Sequence, residues 1–342
     1  MPWASACRAI DDWRVGYKIT FRRGRVLLTR DGRWRAWAAS GCAPDSDQLF
    51  SLDGALPVPE PSRVRALPWA ELRDLQFDSP RSLPFAEANR ARARWFRAPV
   101  LLPGAAAGPS ARVASRPLVI LGHGWAHQGL ESVQRVYVRR LLRGGCDVLM
   151  PVLPLHLDRA PRGTYSGEIL VSGDVALTVE AMAQAVVEMR VLAAWGRGAG
   201  YARVGVLGYS LGGILCALLA CTRTELDFAV IAGAGASLSS IILDTRLGRN
   251  VRKDLAVCGM LERRRLEDAW AIISPGRLQP RVPRPRILLL AGRHDRIMTP
   301  RSVEALWEAW GRPALRWFER GHYTLLALPG AILRASVDFI HR

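Results

Sequence analysis

The rhythm of apolar and polar positions changes near residue 70. Beyond it, short uninterrupted apolar runs alternate with longer stretches in which apolar residues recur three or four apart. "PLVILGHG" (117–124), "CDVLMPVLP" (146–154), "RVGVLG" (203–208), "DFAVIAGAG" (227–235), "RILLLAG" (286–292) and "ALRWFE" (314–319) read as strands. Residues 131–144, 173–197, 211–222 and 301–310 read as helices, as do segments up to about 273 and the tail from Tyr323. Strands without in/out alternation are buried on both faces. Strands that alternate with helices build a mostly parallel sheet with helices on both sides. The pattern therefore predicts an α/β domain over 71–342, with "DLQFDS" (74–79) and "ARARWFRAPVLL" (91–102) as further strands and a small helical insertion at about 240–273. Ligands of such sheets bind at the carboxyl ends of the strands.

Residues 1–70 read differently. "WRVGYKITFRRGRVLLTRDGRWRAW" (13–37) can form short strands with "RDGR" as a hairpin turn, and "SGCAPDSDQLFSLDGALPVPEPSRV" (40–64) reads as a loop. No chemical motif occurs there, so 1–70 is expected to be an extension dispensable for chemistry, and a chain starting near Leu67 is expected to fold. A second loop is expected at 101–117, "LLPGAAAGPSARVASRP".

Composition changes this picture little. The 342 residues are 49% hydrophobic, enough for one large core. The net charge is +18, yet of the 48 basic residues only Lys18 and Lys253 are lysines, and the arginines are spread along the chain. No basic tract interleaved with aromatics and no zinc-finger spacing is present, which argues against a nucleic-acid partner. Cys7, Cys42, Cys146, Cys216, Cys221 and Cys258 lack CxxC spacing, which argues against a metal site or a disulfide scaffold. The N-terminus has no continuous apolar run of the signal-peptide kind, and no stretch is long and apolar enough to span a bilayer. A cytoplasmic location is the expectation.

The candidate chemistry begins at Gly208-Tyr209-Ser210-Leu211-Gly212, between a buried strand and a buried helix. A serine capping a glycine-rich turn is the plain reading. A nucleophile is the sharper one, because a tight Gly-x-Ser-x-Gly turn pushes the serine out at a strand end while the Leu211 N–H opens a helix beside it. A serine needs a base, and the base needs an acid to orient it. Asp295 follows the strand ending at Gly292, and Gly321-His322 follows the last strand, so all three groups fall at carboxyl ends of strands.

With the strand-His123-Gly124 turn, these elements resemble an alpha/beta-hydrolase over about 71–342. The resemblance implies Ser210 as nucleophile, His322 as general base, Asp295 as its orienter, and the backbone N–H groups of Trp125 and Leu211 as an oxyanion hole. Gly208, Tyr209 and Gly212 would shape the elbow, and His123 and Gly124 the facing turn. The family's chain order favours His322 over His294 as the base. "LPLHLDRAPRGTYSGE" (153–168) more loosely resembles esterase-like and peptidase-like hydrolases, including the less studied "domain-containing" members, which would put His156 and Arg159 in a loop at the pocket mouth without a catalytic role.

The implied activity is hydrolysis of a carboxylic ester or thioester through an acyl-enzyme, with no metal or organic cofactor. Acyl transfer to an alcohol through the same intermediate, and a catalytically silent binding module, are the alternatives. The partner is a small-molecule acyl substrate, with a lipid presented at a membrane surface also compatible. Arg246, Arg249, Arg252, Arg263, Arg264 and Arg265 in the insertion read as a solvated basic face; the alternative is that they attract an anionic substrate.

Overall fold

The computed structural model describes residues 2–21, 46–52, 54–99 and 115–342, with the backbone only for 2 and 16–21. A ten-stranded sheet runs through the described part in the order β1-β3-β4-β6-β5-β7-β8-β9-β10, with β2 pairing β3 off this path. The strands are β1 (Glu60–Pro61), β2 (Arg65–Leu67), β3 (Ala70–Asp78), β4 (Arg90–Arg97), β5 (Leu118–Gly122), β6 (Asp147–Val152), β7 (Val204–Tyr209), β8 (Ala229–Ala232), β9 (Ile287–Gly292) and β10 (Ala314–Phe318). From β6 to β10 along this order neighbouring strands are parallel, whereas β3 and β4 add an antiparallel flank.

The apolar runs of β5 to β9 are continuous because each of these strands is covered twice, whereas β10 is a half-exposed edge strand. Leu118 and Ile120 of β5 face one core together with Val204, Val206, Ile287 and Leu289. Val119 and Leu121 face the other with Leu207, Val230, Leu288 and Leu290. Helices α3 (Val175–Gly198) and α4 (Leu211–Ala220) fill the first core. Helix α2 (131–143) and the last helix of the chain (Gly330–Ile340) fill the second. The chain leaves β5 for β6 on one side and later returns to β7 on the other, so the strand order reverses at β5. That reversal opens a crevice at the carboxyl ends of β5 and β7.

Between β8 and β9 lie α5 (Leu238–Asp244), α6 (Arg249–Val257) and α7 (Arg263–Ala269), the small helical insertion. Helix α8 (Pro300–Ala309) follows β9; α9 (His322–Ala327) and α10 (Gly330–Ile340) follow β10. Among the described residues no helix is long and apolar enough to cross a membrane.

The N-terminal stretch departs from its sequence reading. Pro2–Phe21 is one helix, α1, so the strand expected from residue 13 is helical as far as Phe21. The rest of that expected hairpin, 22–37, lies outside the described residues, as does most of the loop expected at 101–117. Cys7, Asp11 and Val15, four apart, form the buried face of α1. Strands β1 and β2 pair with β3, so the sheet begins ahead of the boundary expected at 70.

Candidate active site

Gly122 and Gly208 are paired across β5 and β7, and α4 packs directly on them. A Cβ on Gly122 would lie 2.9 Å from the Gly212 carbonyl oxygen, and one on Gly212 would collide with the Gly122 carbonyl and sit 2.6 Å from that of His123. The glycines of the motif therefore allow strand and helix backbones to touch. This contact turns the chain sharply enough to hold Ser210 at φ 55°, ψ −125°, a conformation that costs a non-glycine residue about 1–3 kcal/mol. The Ser210 N–H is anchored on the Ala232 carbonyl at 3.0 Å, which leaves the side chain at the strand end. Gly212→Ala is expected to cost about 1–3 kcal/mol of stability and to displace Ser210. A lower urea midpoint together with weaker reaction toward a serine-directed probe checks this; both quantities unchanged would mean that α4 can simply move away.

Three groups distant in sequence converge at this turn. His322 Nε2 lies 3.0 Å from Ser210 Oγ, and His322 Nδ1 lies 2.7 Å from Asp295 Oδ2. The other oxygen of Asp295 accepts the N–H groups of Ile297 and Met298, both at 2.8 Å, so the carboxylate is held from two sides. An ionised carboxylate only accepts, so Nδ1 carries the imidazole proton and Nε2 is left to accept from the serine hydroxyl. The imidazole and the carboxylate are buried, with side-chain exposures of 3% and 0%. His294 instead pairs with Glu319 at 2.9 Å.

A cavity of 430 Å³ opens at Ser210, lined by Trp125, Val133, Val136, Tyr137, Tyr209 and Leu326 among others. Part of its wall comes from Gln134–Val138, a π-helical turn inside α2. There Tyr137 stacks on Tyr209 at 4.7 Å and donates to the Leu326 carbonyl at 2.8 Å. Trp125 also lines the cavity, its indole N–H donating to the Gly167 carbonyl at 2.6 Å. Gly124 packs on Tyr209, where a Cβ would meet the ring at 3.1 Å.

The turn after β5 is braced by buried histidines. His123 Nε2 accepts the Leu153 N–H at 3.2 Å and its Nδ1 donates to the Gly124 carbonyl at 2.8 Å. His156 Nε2 accepts the Ala126 N–H at 3.3 Å and its Nδ1 donates to the Pro154 carbonyl at 2.9 Å. Each ring thus uses one nitrogen as donor and one as acceptor and works as the neutral form. Burial pushes His123 down to about 4 from its ordinary 6.5, and burial, reinforced by the neighbouring His123, pushes His156 down as well.

A depressed histidine contributes stability that is complete above the unfolded-state value and declines as pH falls toward the folded-state one. For His123 this window runs from 6.5 to about 4, worth about 3 kcal/mol at about 1.4 kcal/mol per pH unit. Urea midpoints should accordingly fall more steeply over this range in the natural chain than in His123→Asn. Parallel curves would contradict the assignment.

The structure moves two residues from their expected place. Arg159 and His156 are fully buried rather than at a pocket mouth. Arg159 forms a bidentate pair with Glu188 at 2.6 and 2.7 Å and donates to the carbonyls of Val152 and Ala88. In the insertion, Arg252 donates to the Ile242 and Thr245 carbonyls at the end of α5, Arg263 pairs with Asp244 and Glu267, and Arg265 donates to the Gly259 carbonyl. These arginines cap and tie the insertion's own helices. Sequence reasoning missed Asp11, whose carboxylate accepts the N–H groups of His322 and Tyr323; nothing in "AIDDWRV" points to a partner 311 residues away. Among the described residues no group of three or more His, Cys, Asp or Glu is placed to hold a metal ion.

The model of the family "Alpha/beta hydrolase domain containing 18" matches residues 62–238. The chain belongs to this alpha/beta-hydrolase family. The matched span of the family runs from ahead of β3 through the Ser210 elbow to the start of α5. The chain is 34% identical over 187 residues to the uncharacterized protein Rv2627c of Mycobacterium tuberculosis; that match covers 52% of the chain and 42% of the relative, so the chain spans less than half the length of that relative. It is 27% identical over 103 residues to the uncharacterized protein YdjC of Bacillus subtilis, covering 30% of the chain and 88% of the relative. Among solved structures it is similar to acetyl xylan esterase 1 from Thermoanaerobacterium sp. JW/SL YS485, with a TM-score of 0.62 and 16% identity over 87% of the chain and 94% of the esterase. The acetyl xylan esterase from Paenibacillus sp. R4 gives a TM-score of 0.61 at 15% identity, covering 91% and 95%. The acylaminoacyl peptidase of Pyrococcus horikoshii gives 0.54 at 12%, covering 81% of the chain and 42% of the peptidase. At these identities the likeness to the solved structures is one of fold, and the fold is that of the alpha/beta hydrolases.

Proposed function

We propose that this protein is a serine hydrolase that cleaves a carboxylic ester or thioester through an acyl-enzyme on Ser210. The observation that carries the reading is the continuous hydrogen-bonded relay Ser210–His322–Asp295, with separations of 3.0 and 2.7 Å, at the floor of an apolar cavity. Ser210 Oγ attacks the carbonyl carbon as His322 Nε2 takes its proton, and Asp295 stabilises the imidazolium that results. We assign the oxyanion to the backbone N–H groups of Trp125 and Leu211. Leu211 is the first residue of α4, where no preceding turn supplies an acceptor. Ala126 is committed to His156 and does not serve. As the intermediate collapses, His322 returns the proton to the departing alcohol or thiol. Water, deprotonated by the same imidazole, then releases the acid. The wall formed by Val133, Val136 and Leu326 suits the hydrocarbon part of the acyl group.

A fluorophosphonate probe tests the reading. The expected result is a single adduct on Ser210, found by mass spectrometry, that is lost in Ser210→Ala. An unlabelled natural protein, or an adduct on another serine, would overturn it.

A further inference from the structure

We propose that Asp11 is a positioning residue for the Ser210–His322–Asp295 relay: carried in on α1, its carboxylate fixes the backbone at the start of α9 and so aims the His322 ring. The inference rests on the serine-hydrolase reading above. Helix α9 starts at His322 immediately after Gly321, which has no side chain to cap it. The first N–H groups of any helix need acceptors from outside that helix. Here they come from α1: Asp11 Oδ2 accepts the His322 N–H at 2.8 Å and Oδ1 the Tyr323 N–H at 2.9 Å. Gly321 makes the approach possible, because a Cβ there would lie 2.7 Å from Asp11 Oδ2 and 2.9 Å from the Cys7 carbonyl oxygen.

The same helix also holds the loop that carries Asp295. Asp11 Oδ2 receives the Arg296 N–H at 3.4 Å, and Asp12 pairs with the Arg296 guanidinium at 2.6 Å. Base and orienter leave the sheet on two separate loops, after β10 and after β9, and one helix ties both. The distances between them are therefore set partly from outside the hydrolase body. Burial pushes the Asp11 carboxyl up, with the nearby Asp295 charge adding to it and the two α9 amides opposing it. A buried carboxylate kept at that cost is what an apolar docking helix would not need.

Among the described residues, the charged or titratable groups around Asp11 are Cys7, Asp12 and Arg14 on its own helix, Asp295 and Arg296 on the loop after β9, His322 and Tyr323 on α9, and Asp244 and Arg246 of the insertion, the latter pairing with Asp12. Replacing Asp11 by asparagine removes one negative charge beside His322 and with it an acceptor. The imidazolium becomes less favourable, so the acid limb of the kcat/KM profile should move to lower pH. A role confined to docking α1 would lower stability and leave kcat of the folded enzyme at its natural value.

The experiment compares the natural chain, Asp11→Asn and Asp11→Glu by fluorophosphonate labelling rate, by kcat and KM for a short-chain reporter ester, and by the pH profile of kcat/KM. The expected result is a kcat for Asp11→Asn roughly tenfold to hundredfold lower at similar KM, with the acid limb displaced downward. Asp11→Glu keeps the charge and should hold the limb at its natural position. Should Asp11→Asn fail to fold, Asp11→Ser, which removes the charge but keeps an acceptor, is read on the same quantities. A folded Asp11→Asn with natural kcat overturns the proposal alone, wherever its acid limb lies, because Ser210 labelling in the natural chain would still stand. A natural chain that does not label overturns the hydrolase reading and this proposal with it.

Discussion

Ser210→Ala is expected to lower turnover of a reporter ester by roughly 10⁴–10⁶-fold, and His322→Ala by a similar factor. The reason is the geometry of a unit. The serine hydroxyl is a weak nucleophile until Nε2, 3.0 Å away, accepts its proton. The imidazole in turn is useful only while Nδ1 is committed to Asp295. Removing either member ends the same proton transfer, so the double variant should be little worse than the single ones. Ser210→Ala removes one hydroxyl at a strand end outside the two packed cores, so its loss should fall on kcat with the urea midpoint nearly unchanged, whereas His322→Ala also leaves the buried Asp295 carboxylate without its ring partner and should lower the midpoint. His294→Ala is the matched control. It removes an imidazole one residue from the orienter, but one that faces Glu319, and it should leave turnover unchanged. The measurements are kcat and KM for the four variants alongside the natural chain. Retention of more than a few per cent of the natural kcat by Ser210→Ala would sink the mechanism.

Much of this site is legible in the sequence because the sheet writes it there. A strand buried on both faces cannot alternate, so β5, β7 and β9 appear as unbroken apolar runs, and the observed Val204–Tyr209 differs from the expected 203–208 by one residue at each end. Ser210 and Asp295 each follow such a run by a few residues, and His322 follows the half-exposed edge strand β10, so their common edge can be deduced without knowing any contact. Helix α1 is illegible for the opposite reason. Its buried face is Cys7, Asp11 and Val15, with a carboxylate at the centre, while Trp3 and Trp13 are exposed. The usual rule of apolar residues inward is broken on that helix at Asp11 and at both tryptophans, so its period is masked. The partners that make Asp11 tolerable inside are backbone amides, which carry no residue signature at all. Strands β1 and β2, two and three residues long, are too short to leave a pattern and exist through pairing with β3.

Arg159→Leu is expected to destabilise the fold by about 3–5 kcal/mol, the usual cost of stripping one partner from a buried ion pair. Arg159 and Glu188 have side-chain exposures of 1% and 3%, and the guanidinium joins α3 to the end of β6 and to the turn before β4 through the Val152 and Ala88 carbonyls. Without Arg159, the Glu188 charge is left in the core and the Val152 carbonyl loses the guanidinium donor, whereas the Ala88 carbonyl keeps the Gln184 amide at 3.0 Å. The double variant Arg159→Leu/Glu188→Leu removes the stranded charge but does not restore the donor to the Val152 carbonyl. It should therefore recover part of the loss, and the two single effects should exceed the double by about 2 kcal/mol or more. Urea unfolding of the natural chain, both single variants and the double variant measures this directly; additive effects would mean that the pair contributes no coupling. The consequence reaches the chemistry as well. Arg159 anchors the segment whose His156 holds the Ala126 N–H and whose Gly167 carbonyl holds the Trp125 indole. Loosening that anchor lets the turn after β5 drift from the position at which it would meet a developing oxyanion, and a 1 Å displacement there costs on the order of 10²-fold. At a urea-free pH where Arg159→Leu remains folded, its kcat should still fall more than its KM rises, because the turn acts on the transition state rather than on ground-state binding.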